Sequence, residues 1–147
     1  MNSGLIQVLL ADDDADDCLF FKEALQELSV SVNLSIVNDG EQLMKQLQKK
    51  EEHPAVIFLD LNMPRKNGFE CLSEIKINKA LMHLPIIVIS TSFDVEIIKQ
   101  LYKNGATAYI QKPNEFNKLK NVMRQALLLV KQPISTKQSF DTFVLQA

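Results

Sequence analysis

Two apolar stretches of this chain run into aspartates whose carboxylates could bind a cation or act as nucleophiles. Asp12 and Asp13 directly follow residues 5–11, and Asp60 directly follows residues 55–59. An aspartate that ends a buried strand can cap a helix, bind a metal ion or attack an electrophile. Taken alone, Asp60 fits an ordinary turn as well as it fits chemistry, so its assignment depends on which residues lie beside it.

Five aspartates occur within six residues at the start of the first helical pattern. Asp14 is a good N-cap, and Asp16 and Asp17 complement the positive end of a helix dipole. Asp12 and Asp13 precede the cap, and two adjacent carboxylates repel each other unless a cation screens them. The run also permits a one-residue shift in the acids that bind metal, although the length of the strand favours Asp12 and Asp13.

Two further polar residues, Ser90 and Lys112, end apolar runs later in the chain. Taken alone, Ser90 is explained as an ordinary strand end, and Lys112 as a surface residue before a proline. Together with Asp60 they could form a phosphoryl site, in which a cation, an ammonium group and a hydroxyl surround a carboxylate that attacks in line. Mg²⁺ suits such a site because it prefers oxygen ligands, and the backbone carbonyl of Asn62 could complete its shell.

Strand and helix patterns alternate along the chain five times. The periodicity and the turn residues predict strands at 5–11, 31–37, 55–60, 85–90 and 108–112, and helices at about 15–28, 41–50, 68–77, 95–103 and 115–131. Such alternation predicts an α/β fold in which right-handed crossovers cover both faces of a parallel sheet.

The expected fold is the doubly wound, flavodoxin-like class with the strand order 2-1-3-4-5. That order places strands 1 and 3 side by side at the switch point, where ligands bind in such sheets. The candidate residues come from four different strands, and all are predicted to lie at this edge: Asp12, Asp13, Asp60, Ser90 and Lys112.

The composition excludes several classes of function. The chain has 147 residues, 46% hydrophobic and 23% charged, which fits one domain at 1–132 followed by a polar tail at 133–147, either disordered or docked locally. A net charge of −2 with dispersed Lys and Arg argues against nucleic acid. No signal peptide or membrane span is recognisable, so the protein is expected to be cytoplasmic and not membrane-bound.

Cys18 and Cys71 are predicted to be buried thiols.

The chain resembles a response-regulator receiver domain of the CheY-like type over roughly residues 5–131. The resemblance rests on motifs that are specific only together and in order: Asp12-Asp13, the run Leu59-Asp-Leu-Asn-Met-Pro64 closing at Gly68, Ser90, and Tyr109 with Lys112-Pro113. It implies that Asp60 is the phosphoacceptor, that Asp13 binds Mg²⁺, and that Asp12 acts on the metal largely through water. It also implies that Ser90 and Lys112 contact the phosphoryl group and that Tyr109 is an aromatic switch.

The implied function is that of a single-domain response regulator in a two-component phosphorelay. It would take a phosphoryl group from a sensor histidine kinase or a phosphotransfer protein and would not be an enzyme, although it takes part in its own phosphorylation and dephosphorylation. The acceptor loop and residues 89–92 look closest to stand-alone receivers paired with phytochrome-type or hybrid kinases. The downstream target, a homodimer formed on phosphorylation, and the choice between Ser90 and Thr91 as switch hydroxyl are left open.

Two alternatives follow from the same residues. A haloacid-dehalogenase-type phosphatase also uses an aspartyl nucleophile with Mg²⁺, but it needs a second carboxylate where this chain has Asn62. A receiver-like interaction module that is not phosphorylated is disfavoured because the acids, hydroxyl and lysine are all present. The output is expected on helix 4, strand 5 and helix 5, with the Tyr109 ring moving from solvent into a partly buried slot.

Overall fold

The computed structural model describes residues 5–49, 53–132 and 139–147. The strands are β1 (Ile6–Ala11), β2 (Val32–Val37), β3 (Val56–Asp60), β4 (Ile86–Ser90) and β5 (Ala108–Gln111). The helices are α1 (Ala15–Gln26), α2 (Gly40–Gln48), α3 (Gly68–Ile77), α4 (Val95–Lys103), α5 (Phe116–Val130) and α6 (Phe140–Phe143). All strand pairs are parallel and the order is β2-β1-β3-β4-β5, so the predicted fold class is confirmed.

The strands form where apolar residues can face helices on both sides of the sheet. Every residue of β3 and β4 is buried, as expected for central strands of a covered parallel sheet. Because successive side chains point to opposite faces, the sheet separates two cores. One core lies against α2, α3 and α4 and contains Cys71, and the other lies against α1 and α5 and contains Cys18. Both thiols are buried and free, as predicted.

The helices begin where short polar side chains cap them. The side chains of Asp14, Asp39, Asn67 and Asp94 accept hydrogen bonds from backbone N–H groups in the first turns of α1, α2, α3 and α4. The Asp14 cap leaves Asp12 and Asp13 in the short connection between β1 and α1. These two carboxylates are therefore held at the carboxyl end of β1.

The helix α6 was not predicted, because four residues are too few to display a helical period. It belongs to residues 139–147, which pack against α4 and β5 through Phe143 and Val144. The structure thus selects local docking over disorder for this part of the predicted tail. The predicted boundary at residue 133 and the rest of the tail up to 138 lie outside the described residues. No helix in the described ranges is long and apolar enough to cross a membrane.

Candidate functional site

Three carboxylates converge at the carboxyl ends of β1 and β3. Ala11 lies opposite Leu59 in the register of these strands. Asp12 and Asp60, the residues that follow this pair, are therefore adjacent. One carboxylate oxygen from each of Asp12, Asp13 and Asp60 lies within 4.8 Å of the others. Asp12 and Asp60 are only 2% and 5% exposed, whereas Asp13 faces solvent. A set of oxygen donors with one open side fits a hard divalent cation such as Mg²⁺.

Asp14 does not join this group. Its Oδ1 accepts the backbone N–H of Asp17 at 3.0 Å, so its carboxylate is engaged as the N-cap of α1. The one-residue shift that the acidic run permitted is therefore not the arrangement seen. The residues that meet Asp60 are Asp12 and Asp13.

The environment of Asp60 disfavours its charged form. Burial is the largest cause and raises the pKa of Asp60 to about 6, with the negative charges of Asp12 and Asp13 acting in the same direction. The Lys112 ammonium and the backbone N–H of Asn62 lower that pKa without cancelling the rise. When ionised, the carboxylates of Asp12, Asp13 and Asp60 outnumber the Lys112 ammonium group beside them, so the pocket carries excess negative charge. A bound cation would relieve this excess.

Lys112 lies among the carboxylates. Its Nζ is 2.9 Å from Asp12 Oδ2, 2.8 Å from Asp17 Oδ2 and 3.7 Å from Asp60 Oδ2. Burial lowers the pKa of Lys112, but hydrogen bonds to Asp17 and Asp12 outweigh burial and raise it above its usual value. Its backbone N–H donates to the Ser90 carbonyl at 2.7 Å, which extends the pairing of β5 with β4. The ammonium group is therefore charged at neutral pH and held closer to Asp12 and Asp17 than to Asp60.

Asp17 is the site residue that sequence reasoning missed. It was explained as a charge that complements the dipole of α1, and its carboxylate instead binds Lys112. The available signal was its position, because Asp17 lies in the first turn of the helix that follows the acidic pair and is therefore near the carboxyl end of β1. That position alone does not reveal Lys112, which is 95 residues further along the chain.

The loop between β3 and α3 wraps closely around Asp60. The Gly68 N–H donates to the Leu61 carbonyl at 2.9 Å, and a Cβ on Gly68 would lie 2.4 Å from the Asp60 carbonyl oxygen. Only glycine fits at such a distance. Arg65 adopts a left-handed φ of 68° within this loop. Asn62 is exposed and directs its N–H towards the Asp60 carboxylate, while the metal-binding role of its carbonyl stays a prediction.

The two neighbouring hydroxyls differ in environment. Ser90 ends β4 and is 1% exposed, and its Oγ lies 3.3 Å from both the Oγ and the backbone N of Ser92. Thr91 is exposed, and its carbonyl accepts a hydrogen bond from the Gln111 side chain. The hydroxyl that is buried at this edge of the sheet belongs to Ser90.

Tyr109 occupies a different position from the one expected. Its side chain is fully buried, and its hydroxyl donates to the Ser92 carbonyl. The expectation of a ring exposed to solvent was wrong for this structure, because Phe143 and Val144 join the core that contains the ring, and residues 144–145 pair with the free edge of β5. The sequence contained no periodic signal for that cover.

Comparison with known proteins places this arrangement in context. A sequence model of the response regulator receiver domain matches residues 8–124. Response regulator Rcp1 of Synechocystis sp. is 32% identical over 117 residues, covering 76% of this chain and 80% of that protein. The phosphorylated cyanobacterial phytochrome response regulator RcpA has a TM-score of 0.77 at 28% identity, covering 91% of this chain and 99% of that chain. The Mn²⁺-bound form of Rcp1 has a TM-score of 0.74 at 29% identity, with the same coverage.

Proposed function

This chain belongs to the response-regulator receiver family and acts in two-component signalling, and we propose that it accepts the phosphoryl group on Asp60. One observation carries the proposal: the buried Asp60 carboxylate lies beside two further acids and 3.7 Å from the Lys112 ammonium. A carboxylate nucleophile with cationic groups on either side is the arrangement that phosphoryl transfer requires.

The proposed cation is Mg²⁺, held by Asp13 and Asp60 with the Asn62 carbonyl, and by Asp12 largely through water. When bound, it would neutralise part of the charge of these acids and of the arriving phosphoryl group. The oxygen-only donor set supports this assignment. So does the similarity to Rcp1, for which a Mn²⁺-bound form has been solved.

In the proposed reaction, an oxygen of the Asp60 carboxylate attacks phosphorus while the bond from phosphorus to the donor nitrogen breaks. The electron pair of that bond stays on the nitrogen of the donor histidine. Lys112 then moves from Asp12 and Asp17 to the phosphoryl oxygens, and the Ser90 hydroxyl donates a hydrogen bond to them. The high pKa of Lys112 supports this role, because the group carries its charge throughout.

The proposed donor is a sensor histidine kinase or a phosphotransfer protein. Its support is the similarity to RcpA, a phytochrome response regulator solved in its phosphorylated form. Receiver domains are phosphoacceptors, and we propose that this chain acts as one rather than as an enzyme with a separate substrate. The cytoplasmic location and a homodimer formed on phosphorylation stay predictions.

The proposed output surface is formed by α4, β5 and α5. Ser90, Ser92 and Tyr109 support this choice, because hydrogen bonds join them in that order from the pocket to β5. A shift of the Ser90 hydroxyl towards the phosphoryl oxygens would alter the partner of the Tyr109 hydroxyl. Such coupling would change the populations of two arrangements of this surface.

The test is incubation with Mg²⁺ and acetyl phosphate followed by intact-mass measurement. The wild-type chain should gain one phosphoryl group, which alkali or hydroxylamine should remove because the bond is an acyl phosphate. Asp60→Asn should abolish the gain, whereas Asp16→Asn should keep it, because Asp16 is an exposed acid of the same run outside the pocket. A full gain in Asp60→Asn would assign the acceptor elsewhere. No gain in wild type with either acetyl phosphate or a phosphohistidine donor would favour the unphosphorylated interaction module.

A further inference from the structure

The edge of the sheet at β5 is covered by the chain itself. Val144 forms a parallel bridge with Tyr109, and the Leu145 N–H donates to the Tyr109 carbonyl at 2.9 Å. The side-chain amide of Gln125 in α5 donates to the Gln146 carbonyl at 2.6 Å. Residues 144–145 therefore occupy the position that a sixth strand would take beside β5, and residues 139–147 are called the docked segment below.

Side chains of the docked segment enter both cores. Phe143 is fully buried and, with Val144, joins the core on the α4 face, whereas Leu145 packs against the core on the α5 face. Adjacent residues on opposite faces are what a β-strand presents. The segment thus crosses the surface formed by α4, β5 and α5 rather than resting on one helix.

An aromatic cluster holds the other end of the docked segment. The Tyr102 ring of α4 lies 5.4 Å from the Phe140 ring and 5.2 Å from the Phe143 ring, both edge to face. The rings of Phe140 and Phe143 stack at 6.4 Å. Such contacts stabilise the docked arrangement. They also make a ring at position 143 the main anchor of the segment.

The docked segment is joined to the phosphoryl site by hydrogen bonds. Leu145 donates to the carbonyl of Tyr109, whose hydroxyl donates to the carbonyl of Ser92, whose N–H faces the Ser90 hydroxyl. Three steps therefore separate the segment from the residue proposed to follow the phosphoryl group. A movement of Ser90 would affect Ser92 first, then Tyr109 and then the segment.

We propose that the docked segment is an internal occupant of the partner-binding surface on α4, β5 and α5. A partner protein binds there by adding its own extended segment to β5, with an aromatic side chain in the place of Phe143 and an aliphatic one in the place of Leu145. The contacts of the docked segment support this mode, because Tyr109 supplies a backbone acceptor and the cores on both faces of β5 accept apolar side chains. Phosphorylation favours the exchange by loosening Tyr109, and this step rests on the function proposed above.

The docked segment has an entropic advantage over a separate partner molecule. It is part of the same chain, so its effective concentration at β5 is high. A surface that is free in only one molecule in ten binds a partner about tenfold more weakly than the same surface left open. The docked segment therefore weakens the apparent affinity of a partner, unless the partner displaces it or phosphorylation releases it.

A peptide with the sequence of residues 139–147 tests the occupancy. Its binding to the full chain is measured by fluorescence anisotropy with a dye on its first residue. We expect the double variant Phe143→Ala/Leu145→Pro to bind it about tenfold more tightly than wild type, because the variant loses the anchor ring and the N–H donor. Ala147→Pro, which alters an exposed residue of the same segment, should bind as wild type does. Equal binding to all three proteins, or none to the double variant, would overturn the proposal.

Amide exchange in wild type provides a measurement that needs no variant. The Leu145 N–H should exchange much more slowly than in the free peptide, because it is hydrogen-bonded and partly buried. Exchange at the rate of the free peptide would show an undocked segment. Light scattering on the same sample should give a monomer, since a dimer that trades segments between copies would contradict an occupant from the same chain.

Beryllofluoride with Mg²⁺ tests the release. Exchange at Leu145 and binding of the peptide to wild type should both increase, and Asp60→Asn should remove the increase. If beryllofluoride changes neither while the peptide still discriminates the variants, the segment is a static part of the fold and the proposed release is wrong. The peptide comparison does not require phosphorylation, so it holds or fails separately from the function proposed for Asp60.

Discussion

The acidic pocket at the ends of β1 and β3 and the covered edge of β5 stand at opposite ends of one hydrogen-bonded connection, and they are built from opposite chemistry. The pocket gathers four carboxylates around a single ammonium group, so its own residues leave a charge unbalanced. The edge of β5 at Tyr109 is covered by residues from the same chain and lies among apolar side chains. The first region is therefore completed by a ligand, whereas the second can only exchange one occupant for another.

Lys112→Met should have the largest effect, and it tests the charge balance of the pocket. In the absence of a divalent cation, the substitution removes the ammonium group that neutralises the buried Asp12 and Asp60. It should then lower the free energy of unfolding by about 3–5 kcal/mol. Mg²⁺ should restore part of the loss. Urea unfolding with and without chelator measures both. Lys118→Met is the control, because its ion pair with Glu115 is exposed and should cost less than about 1 kcal/mol.

The stability of the metal-free protein should depend on pH through Asp60. Its pKa is raised to about 6 by burial, so the folded state binds the proton more tightly than the unfolded state does. Stability from this group is present below the unfolded pKa near 4 and is lost as the pH rises through about 6. A rise of this size corresponds to about 3 kcal/mol. Melting temperatures in chelator should fall across this window, Asp60→Asn should flatten the fall, and Mg²⁺ at pH 7 should reverse it.

Phe143→Ala tests how independent the edge of β5 is from the rest of the core. Phe58 and Phe143 are both fully buried, but only Phe58 lies in a central strand. Phe58→Ala should lower the free energy of unfolding by about 3–5 kcal/mol. Phe143→Ala should lower it by no more than about 2 kcal/mol, because the docked segment can detach without global unfolding. Denaturant titration of both variants makes the comparison. Equal losses would mean that the segment unfolds only with the whole domain.

Asp17→Asn should have a smaller effect and should act on rate rather than on folding. The substitution removes one of the two carboxylates nearest to Lys112, and the ammonium group then reaches the phosphoryl oxygens more readily. Because Asp17 is about half exposed, the gain should be about two- to fivefold in the initial rate of phosphorylation by acetyl phosphate. Asp16→Asn should leave the rate unchanged. A slower rate in Asp17→Asn would instead make Asp17 a residue that positions Lys112 productively.

Tyr109→Phe should have the smallest effect on phosphorylation, and it tests whether the two regions communicate. It keeps the buried ring and deletes only the hydroxyl that donates to the Ser92 carbonyl, at a cost of about 1 kcal/mol. Phosphorylation of Asp60 should proceed normally. The response of Leu145 exchange to beryllofluoride should shrink, because the route from Ser90 to the docked segment is cut. An undiminished response would place the communication elsewhere.

Most of the pocket could be read from local patterns. Asp12, Asp60 and Ser90 each end or directly follow an apolar run, and parallel strands in the order 2-1-3-4-5 bring such ends to one edge of the sheet. Lys112 follows the last strand in the same way. Their convergence needed only the period of the strands and the handedness of the crossovers. The confirmed strand order places these strand ends side by side.

Other features depend on contacts between residues far apart in sequence, and these required the tertiary structure. The carboxylate of Asp17 binds Lys112, which is 95 residues further along the chain. Tyr109 is buried in a core that Phe143 and Val144 complete, and these two residues belong to a stretch with no period of its own. The sequence by itself determined the sheet, its order and the acids at its edge, because apolar periodicity is a local property of the chain. Only the folded chain decided which acid holds the lysine and what covers β5. Those pairings depend on packing in three dimensions. Several acids in the run at residues 12–17 fit the same local pattern, so the pattern alone does not select the one that pairs with the lysine.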